Sequence, residues 1–224
     1  MSLNAKAGLG LIFLAVVMGL CIFIPAGTVR YWQAWIFLVA FFALSALGTV
    51  YSARHDPALL RRRLRGGPMA EKETVQKIIV LVISIEFVGL LVVPALDHRF
   101  GWSSMPLFFV IAGDLLVVAG FYITFLVFKE NTSAAATVEV APDQRVITTG
   151  PYAHLRHPQY AGALLYLGGM PPALGSWWAL LVFAGAVPFL IWRLLDEEKL
   201  LAAELPGYTE YQRRVRSRLI PGIY

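Results

Sequence analysis

Apolar residues run almost unbroken through four stretches of the first half of the chain, residues 7–24, 31–53, 78–96 and 105–128. Each is long enough as a helix to cross a hydrocarbon core of about 30 Å at about 1.5 Å per residue. The pattern changes after residue 128. A polar connection over 129–158 is followed by residues 159–192, which carry no charge at all. One straight helix of that length would run roughly 50 Å, so the stretch is expected to fold back on itself. Gly168-Gly169-Met170-Pro171-Pro172 is the expected break, because proline removes a backbone donor and glycine weakens a helix. The pattern thus predicts an all-α integral membrane protein of about six spans, four plus a C-terminal hairpin. Its two parts are a four-span region over 1–128 and a core with a polar tail over 129–224.

Composition agrees with this class. The chain is 58% hydrophobic and 15% charged, with a mean hydropathy of +0.66, too apolar for an ordinary soluble domain. The first apolar run follows Lys6 and could be taken for a signal peptide, but its length and the closeness of the next run favour a retained span. The one cysteine, Cys21, lies inside it, which rules out a disulfide or a cysteine-based metal site within one chain. His55, His98, His154 and His157 show no joint ligand spacing, so no metal is expected.

Charge gives the orientation. Of the 19 Lys and Arg, all but Arg30 and Arg99 fall on the side of the N- and C-termini under the six-span arrangement. The positive-inside rule then predicts N-in and C-in, with the polar connections at the cytoplasmic face. Basic loops beside anionic lipid account for the pI near 9.5 without a nucleic-acid partner. Segment 54–77 reads as a short basic amphipathic helix at the headgroups, ending at Gly66-Gly67-Pro68. Segment 129–158 reads as extended pieces joined by turns, and a connection that long is commonly functional. Glu86 and Asp114 sit within the third and fourth spans, where ionisable residues are costly. Antiparallel packing of those spans would let them share a proton or bond a polar partner.

Two polar clusters flank the uncharged stretch. Pro158 is suited to the first turn of a helix and leaves His157 at the cap position. Free N–H groups and the positive dipole end there form a seat for a carboxylate, and Tyr152 and Tyr160 offer aromatic faces that attract cations such as a sulfonium. The plain alternative is a helix start touching phospholipid headgroups. Arg193 and Glu197 are four apart and share a helix face, with Glu198 turned aside. Arginine before glutamate is the less favourable order for a stabilising pair. A binding role gives Glu197 a cationic amino group and Arg193 an anionic acceptor; the alternative is an arginine snorkelling at the membrane edge beside Glu197.

Gly150, Tyr152, Arg156, His157, Pro158, Tyr160 and Gly162, followed by Arg193, Glu197 and Glu198, resemble the signature of the isoprenylcysteine carboxyl methyltransferase family and its phospholipid methyltransferase relatives. The resemblance covers roughly residues 129–224. It implies S-adenosylmethionine as cofactor, held in a partly membrane-enclosed pocket, and a lipophilic acceptor arriving from the bilayer, a prenylcysteine carboxylate by the family name. Matching positions imply cofactor contacts at Gln144, Arg145, Val146, Ile147, Tyr152, His157, Pro158, Gln159, Tyr160 and Glu197, with Glu139 replacing a polar residue upstream. Arg193 matches an arginine on the acceptor side, which makes Arg193 and Glu197 the candidate catalytic pair. A carboxylate acceptor needs no base; a thiol or amine would need one, and His154 and His157 are the nearby histidines. Two other readings stay open. Sterol reductases have a similar C-terminal core and use a reduced nicotinamide cofactor, although no G-x-G-x-x-G fingerprint is present, and the fold could serve a non-enzymatic membrane binding protein.

Overall fold

The computed structural model describes residues 1–134, 136–140 and 144–224. Among the described residues the regular structure is helical, with no strand: α1 (Leu3–Ala26), α2 (Trp32–His55), α3 (Pro57–Arg63), α4 (Thr74–Phe100), α5 (Leu107–Glu130), α6 (Pro158–Ala173), α7 (Ala179–Glu204) and α8 (Tyr208–Arg214). Five of these, α1, α2, α4, α5 and α7, are long and apolar enough to cross a membrane. The expected fifth span, α6, has only 16 residues, about 24 Å of helix. That falls short of a hydrocarbon core of about 30 Å.

The hairpin of α6 and α7 forms, but its bend does not fall at Gly168–Pro172. Helix α6 runs through Pro171 and Pro172 to Ala173. The chain turns one step later at Gly175, whose φ of +75° favours glycine. There Gly175 N–H donates to Pro172 O at 2.9 Å and Ser176 N–H to Pro171 O at 3.0 Å. Packing explains why the glycines do not break the helix. A Cβ on Gly169 would sit 2.7 Å from Gly113 O on α5, and one on Gly162 would sit 2.8 Å from Gly120 O. Gly113 and Gly120 approach α6 as closely from the other side. Small residues that let backbones approach are the usual means of packing helices where lipid gives no hydrophobic drive.

Helix α6 is the centre of the arrangement, packed on α5, α7, α4 and α2, while α4 lies between α1 and α7. The main core joins Phe37 and Phe41 of α2, Leu90 and Leu91 of α4, Val117 of α5, and Leu167 and Met170 of α6. Large apolar side chains such as Phe13, Val39, Ile85, Phe108 and Leu181 face outward, as a surface in contact with hydrocarbon requires. Helices α4 and α5 take different partners, which separates the two intramembrane acids. Glu86 stands beside Gly185 of α7, whereas Asp114 on α5 keeps a buried oxygen without a hydrogen-bond partner among the described residues. The shared proton expected of neighbouring spans has no basis in this packing.

At one end of the bundle the turns are pinned together. Asp97 accepts from Ser103 N–H and Ser103 Oγ–H, both at 2.6 Å, and from Ser176 Oγ–H. Tyr31 OH donates to Leu174 O and its ring stacks on His98. At the other end, α3, the described parts of the 131–149 connection, α8 and the C-terminal tail gather over the start of α4, the start of α6 and the end of α7.

Candidate active site

Helix α7 supplies the spine of the site. Leu190, Arg193, Glu197, Leu201 and Leu205 recur at helical spacing along one face, spanning about 22 Å, and all five line one cavity of about 300 Å³. This strip is apolar at both ends and charged in the middle. The start of α6 forms the facing wall through His157, Pro158, Gln159 and Tyr160. The connection before it closes the side with Glu139, Gln144, Arg145, Val146, Ile147 and Tyr152, and α8 adds Tyr208 and Tyr211. Every residue assigned from the sequence to cofactor contact or to the candidate catalytic pair therefore borders the same space. The Ala141-Pro142-Asp143 part of the connection lies outside the described residues.

Each polar side chain has a distinct attachment. Tyr160 OH donates to Glu197 Oε2 at 2.6 Å, holding the carboxylate toward the cavity. Arg193, only 9% exposed, does not turn to Glu197. Its guanidinium donates to Gln76 Oε1 at 2.7 Å, to Glu71 Oε1 at 2.6 Å and to Ala136 O at 3.1 Å. The same Glu71 accepts from Val138 N–H at 3.2 Å through its other oxygen. An arginine merely snorkelling beside Glu197 would not carry this set of buried acceptors. Glu71 and Gln76 lie outside both sequence clusters, and no local pattern marks them.

Glu198 is 5% exposed and serves the framework. Arg156 Nε donates to its Oε1 at 2.7 Å and Arg218 Nε to its Oε2 at 2.9 Å. Arg156 also donates to Val215 O and Arg216 O, and the backbone N–H groups of Arg156 and His157 bond Ser217 O and Arg218 O. The start of α6 is thereby stitched to the tail. His157 occupies the cap position of α6 but its side chain makes no cap bond; Nε2 instead lies 3.3 Å from Glu198 Oε1. His154 is exposed and outside the cavity wall.

The glycine that opens the first cluster has a geometric reason. Gly150 has φ +56°, and a Cβ there would sit 2.6 Å from Glu130 Cγ, whose carboxylate accepts from Thr149 Oγ1–H at 2.6 Å. This turn sets Tyr152, whose OH accepts from Asn131 Nδ2 at 2.9 Å and whose carbonyl accepts from Tyr211 OH at 2.7 Å. Burial pushes the Tyr152 phenol up to about 12, so it stays neutral at physiological pH. Burial, and then the carboxylates of Glu198 and Glu197, raise the Tyr208 phenol as well. Tyr208 lines the cavity, and its buried hydroxyl has no hydrogen-bond partner among the described residues. A buried donor left open in this way is satisfied by a bound molecule or by water.

Residues 108–205 match the phospholipid methyltransferase family model. The similarity runs from α5 to the end of α7, somewhat less than half of the chain. The match takes in the first cluster, α6 and the whole charged face of α7. This likeness suggests membrane methyltransferase activity. Comparison with curated proteins yields no match.

Proposed function

We propose that the chain transfers a methyl group from S-adenosylmethionine to a lipophilic acceptor drawn from the bilayer, with the carboxylate of an isoprenylcysteine-like molecule as the first candidate. The observation that carries this reading is the α7 strip, with apolar ends and a charged centre that Tyr160 faces. Glu197 suits the amino group of the donor, and Leu201, Leu205, Val146, Tyr208 and Tyr211 suit its adenosine. The open Tyr208 hydroxyl offers a donor to that heterocycle. Arg193, Leu190, Val80 and Ile83 form the opposite end, where an acceptor would approach. The donor supplies a methyl on a cationic sulfonium, which a carboxylate oxygen takes up as the carbon–sulfur bond breaks, with no proton to move. Glu71 and Gln76 hold the Arg193 guanidinium in place for this, and fixed orientation is worth up to about 7–11 kcal/mol of a barrier.

The test is S-adenosylmethionine binding by the full chain in nanodiscs, with reduced nicotinamide dinucleotide as competitor. Wild type is expected to bind saturably and the dinucleotide not to compete. Tyr208→Phe, which removes only a hydroxyl that has no partner among the described residues, is expected to weaken binding about three- to tenfold. Binding of the dinucleotide alone would sink the proposal in favour of a reductase. Binding of neither would leave a non-enzymatic role.

A further inference from the structure

Between α3 and α4 the chain runs from Leu64 to Glu73 almost wholly in the open. Met69 is 94% exposed, and Glu71, at 4%, is the one buried residue of this loop. A loop with no buried apolar side chain has little local stability of its own, so its place is set by what Glu71 holds. That carboxylate joins two elements. One oxygen accepts from the Arg193 guanidinium on α7, and the other from Val138 N–H in the connection that walls the cavity. The loop meets the same wall on either side of Glu71. Lys72 Nζ lies 3.2 Å from Glu139 Oε2, and a Cβ on Gly66 would lie 3.2 Å from Ala136 Cβ. Ala136, Val138 and Glu139 all line the cavity.

This wall is the side able to move. A cavity of about 300 Å³ is at the low end for a small-molecule site, so one side must yield to take a nucleoside-sized donor together with any part of an acceptor. The facing sides are α6 and α7, both packed into the bundle. Arg193 is also anchored without the loop. Gln76 on α4 accepts from it at 2.7 Å and donates through Nε2 to Asp196 Oδ2 on α7 at 2.5 Å. Arg193 is therefore the fixed half of a clasp, and Glu71 is the half that can withdraw. We propose that the 64–73 loop latches the donor cavity: the donor enters, and its demethylated product leaves, when Glu71 parts from Arg193 and Val138 and the 136–139 wall moves with the loop. This rests on the methyltransferase reading for the identity of the molecule that passes. It adds the control of exchange, a step that limits turnover in many enzymes with moving lids.

A reversible crosslink tests the latch without removing a buried group. In the full chain with Cys21→Ser, the pair Gly66→Cys and Ala136→Cys brings two thiols near the Cβ separation of a disulfide, about 3.5–4.5 Å. Stopped-flow binding of S-adenosylmethionine in nanodiscs is the readout. Oxidation is expected to slow association and release alike, each by about tenfold or more, and reduction to restore both. Glu71→Gln, which keeps shape and removes charge, is expected to speed both; a residue that merely supports the site would speed release alone. Rates indifferent to the crosslink, or a Glu71→Gln effect confined to release, would overturn the proposal. A second readout needs no donor. Ala163 lines the cavity on α6, and labelling of Ala163→Cys by a small water-soluble thiosulfonate is expected to quicken about tenfold when Glu71→Gln is added. Wild type that binds no S-adenosylmethionine would strike the methyltransferase reading, and the labelling alone would then decide the latch, an unchanged rate overturning it.

Discussion

Two adjacent carboxylates on α7 have opposite duties, and the difference lies in what each faces. Glu197 borders the cavity and accepts one phenol hydrogen bond, whereas Glu198 compensates Arg156 and Arg218 beside His157, away from the cavity wall. Removing one partner of a buried ionic cluster leaves uncompensated charge, at a cost of about 3–5 kcal/mol. Glu198→Gln is thus expected to lower the unfolding midpoint in detergent markedly. Glu197→Gln is expected to leave that midpoint nearly unchanged and to weaken S-adenosylmethionine binding tenfold or more. Thermal unfolding and binding titration on both variants check the contrast; equal destabilisation by the two would remove the distinction. Sequence reasoning separated the pair only by helix angle. It placed Glu197 toward Arg193, whereas Arg193 is held by Glu71 and Gln76, more than 100 positions earlier in the chain. Such partners depend on how a loop docks, and no local spacing encodes that.

At the scale of elements, what could be read was periodicity, and what could not was close approach. The long apolar runs became α1, α2, α4 and α5, and the start of α6 at Pro158 fell where proline at a first turn implies. The end of α6 was misplaced because glycine and proline were weighed by local propensity. In the folded chain Gly113, Gly120, Gly162 and Gly169 form the contact between α5 and α6, and that packing keeps α6 helical through Pro171 and Pro172. Gly162, which closes the first motif, is therefore a packing residue. A Cβ on Gly120 would lie 2.5 Å from Gly162 O, a backbone atom that cannot rotate away. Gly120→Ala is expected to cost about 1–3 kcal/mol of stability through overpacking. Gly48→Ala, whose Cβ meets open space, is expected to change it by less than about 0.5 kcal/mol. Thermal unfolding of the two variants side by side measures this. An undisturbed Gly120→Ala would mean that the α5–α6 contact is looser than its geometry.

For the molecule as a whole, the two ends of the bundle differ in kind. One is pinned by Asp97, Ser103, Ser176 and Tyr31, and the other holds the cavity and most of the 19 Lys and Arg. The bias in Lys and Arg predicts that the cavity end faces the cytoplasm, the side on which a soluble nucleotide-like donor is at hand. Five long helices and a shorter α6 leave that orientation to be read by chemistry from each side. With Cys21→Ser as background, Met69→Cys places a thiol at a site 94% exposed near the cavity, and Trp102→Cys places one at a site 53% exposed beside the pinned turns. A membrane-impermeant maleimide applied to intact cells is expected to modify Trp102→Cys alone, and Met69→Cys only after permeabilisation. The reverse pattern would put Arg193 and Glu197 on the outer face, cut off from the cytoplasmic donor, and methyl transfer in the proposed form would then have no supply.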